Sequence, residues 1–234
     1  MNNPTQVEAT HLRIAELVQS LHGRSDADSD TVVAELAEHA AVQIPGAQYA
    51  GITLTRNGKH IETPAATHIY PMLLDKIQQR HQEGPCLTAA WEEKTVHVAN
   101  LETDDRFPLY RQDALAETPI KSIMAFQLFI AGETIGALNV YSEAPNVFDS
   151  ESRNIGLVFA AHSSVAWNSA RRDEQFKRAL SSRDVIGQAK GMIMERYDVD
   201  AVRAFELLRK LSQDSNVPLI RVATELVADK TAAE

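Results

Sequence analysis

The stretch SIMAFQLFIAGETIGALNVYS, residues 122–142, reads as two strands, Ser122–Ala131 and Thr134–Ser142, joined near Gly132-Glu133. Toward the N-terminus, Tyr49–Thr55 is rich in β-branched residues and predicts another strand. Asn57-Gly58 follows it, a strong hairpin signal for a type I′ turn, and Lys59–Thr63 is the expected return strand. Val96–Ala99 predicts a short further strand. Between these lie helical segments, His68–Gln82 and Leu109–Glu117, and Asp104–Pro108 reads as a loop. Pro71 is tolerable in the first of these helices because it falls in the first turn, where an N–H has no intrahelical partner. Gly84-Pro85-Cys86 opens another segment. Before the first strand, Val32, Val33, Leu36, Ala37, Ala40 and Ile44 form one apolar helical stripe that Pro45-Gly46 ends. The polar run Asp26–Asp30 separates it from a further expected helix, Val7–Leu21, closed by His22-Gly23. Helices interleaved with an antiparallel sheet predict an α+β domain.

From Asp149 the period becomes helical. Ile155, Val158, Phe159, His162, Val165 and Ala166 sit at a/d-like spacing, and the pattern runs through Phe176 and Leu180 to Arg196. About 48 residues, or ~70 Å if continuous, is long for a globular helix and predicts a coiled-coil connector and a homodimer. Two short helices follow, Val199–Asp214 with Val202, Phe205, Leu208 and Leu211, and Leu219–Ala228 with Leu219, Val222, Ala223, Leu226 and Val227. Asn216–Pro218 is the turn between them. The expected segments are an N-terminal helix in 1–28, a sensor-like domain in 29–168, a connector in 149–180 and an all-α three-helix domain in 176–230.

The 234 residues are 44% hydrophobic with a formal charge of −9, enough apolar content for a packed core. A net negative chain argues against a nucleic-acid partner if its charge is even. It is uneven: residues 1–170 carry a net of −10, whereas 171–234 carry 12 Lys/Arg and 11 Asp/Glu, a net of +1, or +2 without the acidic tail after Ala228. No run of ~18 apolar residues predicts a membrane span, and MNNPTQVEAT has no signal-peptide pattern. A cytoplasmic protein without a membrane partner is expected. One cysteine excludes an intramolecular disulfide and a Cys-based zinc site. There is no Gly-rich phosphate loop and no metal motif, and the acidic pairs Asp104-Asp105 and Glu92-Glu93 have no partner base at catalytic spacing.

The C-terminal stretch IGQAKGMIMER (186–196), AFELLRKLSQ (204–213) and LIRVATELV (219–227) resembles the ANTAR domain, a three-helix module of bacterial antitermination regulators. The resemblance implies binding to paired hairpins with small loops in nascent RNA. The residues agree with that chemistry. Lys190, Arg196, Arg209, Lys210 and Arg221 supply cations, Gln188 and Gln213 supply groups able to read base edges, and Gly187 and Gly191 allow close approach along one helix face. Arg209 has an alternative as an ion-pair partner of Glu206 or Glu195. A second function is open as well: the helical domain docks a protein and its cations only solvate it.

The stretches AGITL (50–54), LD (74–75) with Gln78 and GPCLTA (84–89), and GALNVY (136–141) resemble a GAF domain, a sensor fold, of the type joined to ANTAR in actinobacterial regulators. The resemblance implies an unknown small-molecule or protein signal. The Asn-Lys-x-Asp-type signature of cyclic-nucleotide-binding GAF domains is absent, and no cofactor is expected, since His60, His68, His81 and His97 have no haem motif around them. Cys86 is the candidate sensor residue. At a helix start the dipole favours its thiolate, with His81 in reach if the loop folds back; the other reading is an inert buried packing residue. A GAF-fold enzyme such as a methionine-sulfoxide reductase needs more than one catalytic cysteine in the usual scheme, so no enzyme activity is expected.

Overall fold

The computed structural model describes residues 29–56, 60–91, 95–130 and 133–231. The expected helix Val7–Leu21, the Asn57-Gly58 turn and the Glu92-Glu93 pair lie outside the described residues. The chain divides into two compact units, residues 1–171 and 172–234.

The first unit is built on a five-stranded sheet. Its strands are β1 (Tyr49–Arg56), β2 (His60–Ala66), β3 (Thr95–Val98), β4 (Ser122–Ile130) and β5 (Glu133–Ser142), in the order β2-β1-β5-β4-β3. All neighbours are antiparallel. Around it lie α1 (Ser29–Gln43), α2 (Ile69–His81), α3 (Pro85–Trp91), α4 (Pro108–Glu117) and the start of α5 (Ser150–Tyr197). Because side chains alternate along a strand, each strand feeds two cores. Met124, Phe126, Leu128, Leu138 and Val140 face Leu36 and Ala40 of α1 and Ile155 and Phe159 of α5. Ile123, Ala125, Ala137 and Tyr141 face Leu74 and Ile77 of α2, Cys86 of α3 and Tyr110 of α4. Burial on both faces explains why 122–130 reads as an almost continuous apolar run.

Strand β2 extends three residues past the expected Thr63, through Pro64. Two facts permit this. β2 is an edge strand, and its register with β1 shifts between Ile52 and Leu54, where Thr63 and Pro64 oppose the single residue Thr53. Gly136 in β5 has φ +158°, and a Cβ there would stand 1.9 Å from the Thr53 carbonyl oxygen, so only glycine fits.

Helix α5 begins where the sequence predicts. Asp149 Oδ1 accepts from the Glu151 and Ser152 backbone N–H groups at 2.9 Å each, a side-chain cap for the first turn. The helix continues unbroken for 48 residues and ends at Asp198, which is left-handed at φ 50°.

In the second unit the end of α5 packs with α6 (Ala201–Ser215) and α7 (Leu219–Thr231). Ala189, Ile193, Ala204, Leu208, Val222 and Ala223 form its core. α6 starts two residues later than expected because Asp200 is its cap, accepting from the Arg203 N–H at 2.8 Å. The apolar stripe expected on α6 is corrected. Leu208 is buried, but Val202, Phe205 and Leu211 are exposed, by 70%, 42% and 51%. Three-residue steps fall short of a full turn by about 60° each, so a run of them winds off the core. The four-residue step Ala204 to Leu208 stays on it.

Candidate functional site

On the second unit, Gln188, Gly191 and Arg196 of α5, Arg209, Lys210 and Gln213 of α6 and Arg221 of α7 are exposed, and Lys190 is half-buried. None of these cations is ion-paired among the described residues; Glu206, one alternative partner for Arg209, pairs with Arg203 at 3.0 Å.

Two concavities organise this surface. A groove of about 420 Å³ is lined by Ser182, Arg183, Ile186, Gly187 and Lys190 of α5 and by Phe205 of α6. A hollow of about 310 Å³ is lined by Met192, Glu195, Arg196 and Tyr197 of α5 and Leu226 of α7. Among the described residues, Lys190 is the expected residue that reaches the groove and Arg196 the one that reaches the hollow; the other six lie on the surface outside both.

The helix geometry accounts for this division. Ala189 and Ile193, one turn apart, point into the core. Lys190 lies at the margin, and Gly187 and Gly191 face out. A Cβ at either glycine would meet nothing within 4 Å. Packing among the described residues therefore requires neither glycine, although each costs the helix about 1 kcal/mol relative to alanine.

Arg183 and Phe205 are groove residues that the sequence reading did not single out. In sequence Phe205 sits three residues from both Val202 and Leu208, a spacing that reads as core. Its neighbours Ala204 and Leu208, at four-residue spacing, are the signal that would have turned it outward.

The first unit holds a second, buried constellation. Asp75 of α2 is 2% exposed. Its Oδ2 accepts from the hydroxyls of Thr53 and Thr63, each at 2.7 Å, and its Oδ1 from Gln78 Nε2 at 3.1 Å. Asn139 Nδ2 donates to Thr53 Oγ1 at 2.8 Å. Gln78 Oε1 accepts from the Cys86 backbone N–H at 2.8 Å, tying α2 to the start of α3. Burial pushes the Asp75 carboxyl up to about 6 despite the hydrogen bonds from Thr53 and Thr63 that favour its ionised form.

Cys86 is fully buried, with Sγ 3.7 Å from the Tyr141 hydroxyl. Burial pushes its thiol well up, and the charge of Asp75 pushes the same way. That corrects the thiolate expected from the helix start: the dipole of a seven-residue helix does not offset loss of solvent. His81 is corrected too. Its Nε2 lies 2.7 Å from Asp113 Oδ2. Two atoms beside this network, the Tyr110 hydroxyl and Asn139 Oδ1, are buried without a hydrogen-bond partner among the described residues.

The remaining histidines are dispersed. His60 lies 3.8 Å from Glu62, His68 accepts from the Tyr70 N–H at the start of α2, and His97 of β3 has a buried Nε2 without a partner among the described residues. Among the described residues no three His, Cys, Asp or Glu side chains group so as to hold a metal ion. Of the acidic loop pair, Asp104 binds Arg106 at 2.6 Å and Asp105 binds Arg111 at 2.6 Å. No helix among the described residues is long and apolar enough to cross a membrane.

Comparison with known proteins follows this division. A GAF domain family model matches residues 26–168, and an ANTAR domain family model matches residues 174–227. No curated protein sequence matches the chain. Among solved structures, the GAF domain of a phosphoenolpyruvate-protein phosphotransferase from Acinetobacter is similar, with 16% identity and a TM-score of 0.54 over 75% of this chain and 99% of that one. The free methionine-R-sulfoxide reductase from Neisseria meningitidis, in complex with its substrate, has 15% identity and a TM-score of 0.52 over 68% of this chain and 88% of that one. The photosensory core module of the Stigmatella aurantiaca phytochrome has 13% identity and a TM-score of 0.56 over 86% of this chain and 45% of that one. At these identities the likeness is one of fold. The sandwich with helices on both faces of an antiparallel sheet, the matched 26–168 and the matched three-helix unit after it agree: the chain belongs to the GAF domain family and is a regulator of the GAF–ANTAR type.

Proposed function

We propose that this protein is an RNA-binding transcription antitermination regulator, in which the GAF domain senses a signal and the ANTAR domain binds paired hairpins in nascent RNA. One observation carries the reading. Two glycines interrupt a helix at positions where a side chain would meet nothing, beside Lys190 and a groove without an acidic residue among its described lining. Selection for helix stability alone favours alanine there. A face kept free of side chains and flanked by cations suits the close approach of a phosphate backbone. Gln188, Lys190, Gly191, Arg196, Arg209, Lys210, Gln213 and Arg221 are the proposed contact set, with Lys190 central.

The proposed division of labour is a sensor in 29–168, a connector in 149–180 and an RNA reader in 176–230. The buried Asp75–Cys86 network, with two polar atoms that have no partner among the described residues, supports a signal site within the sensor. The protein acts in the cytoplasm as a homodimer joined along α5, whose Leu157, Val165, Phe176 and Leu180 are 38–70% exposed. Two readers on one dimer grip two hairpins, and linkage raises avidity by ~10²–10⁴.

A gel shift of the full chain with a paired-hairpin RNA over a salt series tests this. Affinity is expected to fall linearly on logarithmic axes, with a slope set by the phosphates contacted. Absence of salt-sensitive binding overturns it. Exposed Val202 and Leu211 favour the second reading, a protein-docking module; a pull-down whose partners are indifferent to competing RNA supports that one instead.

A further inference from the structure

We infer that Phe205 is a stacking platform for one unpaired base of the bound RNA, held in a pocket whose phosphate contacts come from Arg183 and Lys190. The inference rests on the RNA reading above and names a subsite within it. Three independent features meet in the α5–α6 groove. Phe205 is 42% exposed, turned off the core formed by Ala204 and Leu208, and it lines the groove. Arg183 and Lys190 stand on the opposite helix, two turns apart, with Gly187 between them on the same face. The Gly187 Cβ position is open space, so the wall facing Phe205 is bare backbone at its midpoint.

A groove lined by an aromatic ring on one helix and, on the other, by a glycine between two cations is complementary in chemistry to a single nucleotide. Unstacked loop bases are what sequence-selective RNA readers take, by stacking on aromatic rings, while Lys and Arg hold the flanking phosphates. The described lining contains no carboxylate that would repel phosphate. Ile186 adds an apolar side chain to the lining, which suits a base better than a second phosphate. An apolar peptide side chain would fill the same groove without using either cation, and the salt response separates the two occupants.

The experiment uses the full chain and a two-hairpin RNA selected for binding from a library randomised in its loops. The selected RNA is then labelled with 2-aminopurine at each loop position in turn. Phe205→Leu is expected to weaken binding roughly 5- to 150-fold and to abolish the fluorescence change at one loop position, with the salt slope unaltered. Phe205→Tyr keeps the platform and is expected to bind within about threefold of the parent. Lys190→Gln and Arg183→Gln are each expected to lower the salt slope by about one. Gly187→Ala, which adds only a methyl group in open space, is expected to weaken binding while raising the melting temperature.

If the library yields no binding RNA, both the RNA reading and this subsite fall. If RNA is selected but Phe205→Leu and Phe205→Tyr bind alike and every 2-aminopurine signal persists, the stacking site falls while the RNA reading stands. Should Phe205→Leu lose its cooperative melt, Gly187→Ala decides the matter, since unimpaired binding by that better-folded variant overturns the stacking site.

Discussion

Asp75 shows how burial and hydrogen bonding compete at a single side chain. Three donors converge on its carboxylate, yet loss of solvent is the larger effect and lifts its pKa from 3.8 to about 6. The folded protein therefore binds a proton at Asp75 more tightly than the unfolded chain does. Its stability falls as pH rises from about 4 to about 6 and is level above that, by roughly 3 kcal/mol in all from this group. Denaturation at pH 4.5 and pH 8 is expected to show that decline in the parent and to lack it in Asp75→Asn; equal declines would assign it to other groups. The same burial governs Cys86. A position after Gly-Pro at a helix start reads in sequence as an activated thiol, but the identity of the neighbours that exclude water is a tertiary fact. Phe205 is the converse case, a residue that reads as core and stands in solvent.

At the scale of elements, local signals were most legible where the residue causing the feature lies within the element itself. Helix α2 occupies 69–81, bounded by His68 and Gln82, one residue inside the predicted limits at each end. Helix α5 covers 48 residues as its periodicity predicts. The differences arise where a neighbouring element decides. β2 runs through Pro64 because among the described residues no strand pairs with its outer edge. At Gly156 of α5 the deciding neighbour is β4: a Cβ there would lie 2.0 Å from the Phe126 ring. Gly156→Ala is accordingly expected to destabilise the first unit by about 1–3 kcal/mol despite its better helix propensity. Adding Phe126→Leu is expected to recover part of that loss beyond additivity, as a thermal-melt double-mutant cycle would show. Strict additivity would place the strain elsewhere.

For the whole molecule, the formal charge of −9 hides a division of roles. All of the excess acid precedes residue 171, and the region after it is weakly positive, so the expected RNA recognition rests on shape and a few placed cations. The proposed dimer predicts a native mass near twice 25.8 kDa for the purified protein at micromolar concentration. A monomer under those conditions would remove the constitutive pairing along α5. Sequence alone determined the α+β class, the long helix and the family resemblance of both domains, because periodicity, turn residues and short motifs are properties of adjacent residues. Tertiary structure alone decided that Cys86 is sealed beside Asp75, that the α6 stripe turns outward at Phe205, and that the space over Gly187 and Gly191 is empty. Each of those depends on which atoms of distant segments approach, or fail to approach, a given side chain, and no spacing within one segment encodes that.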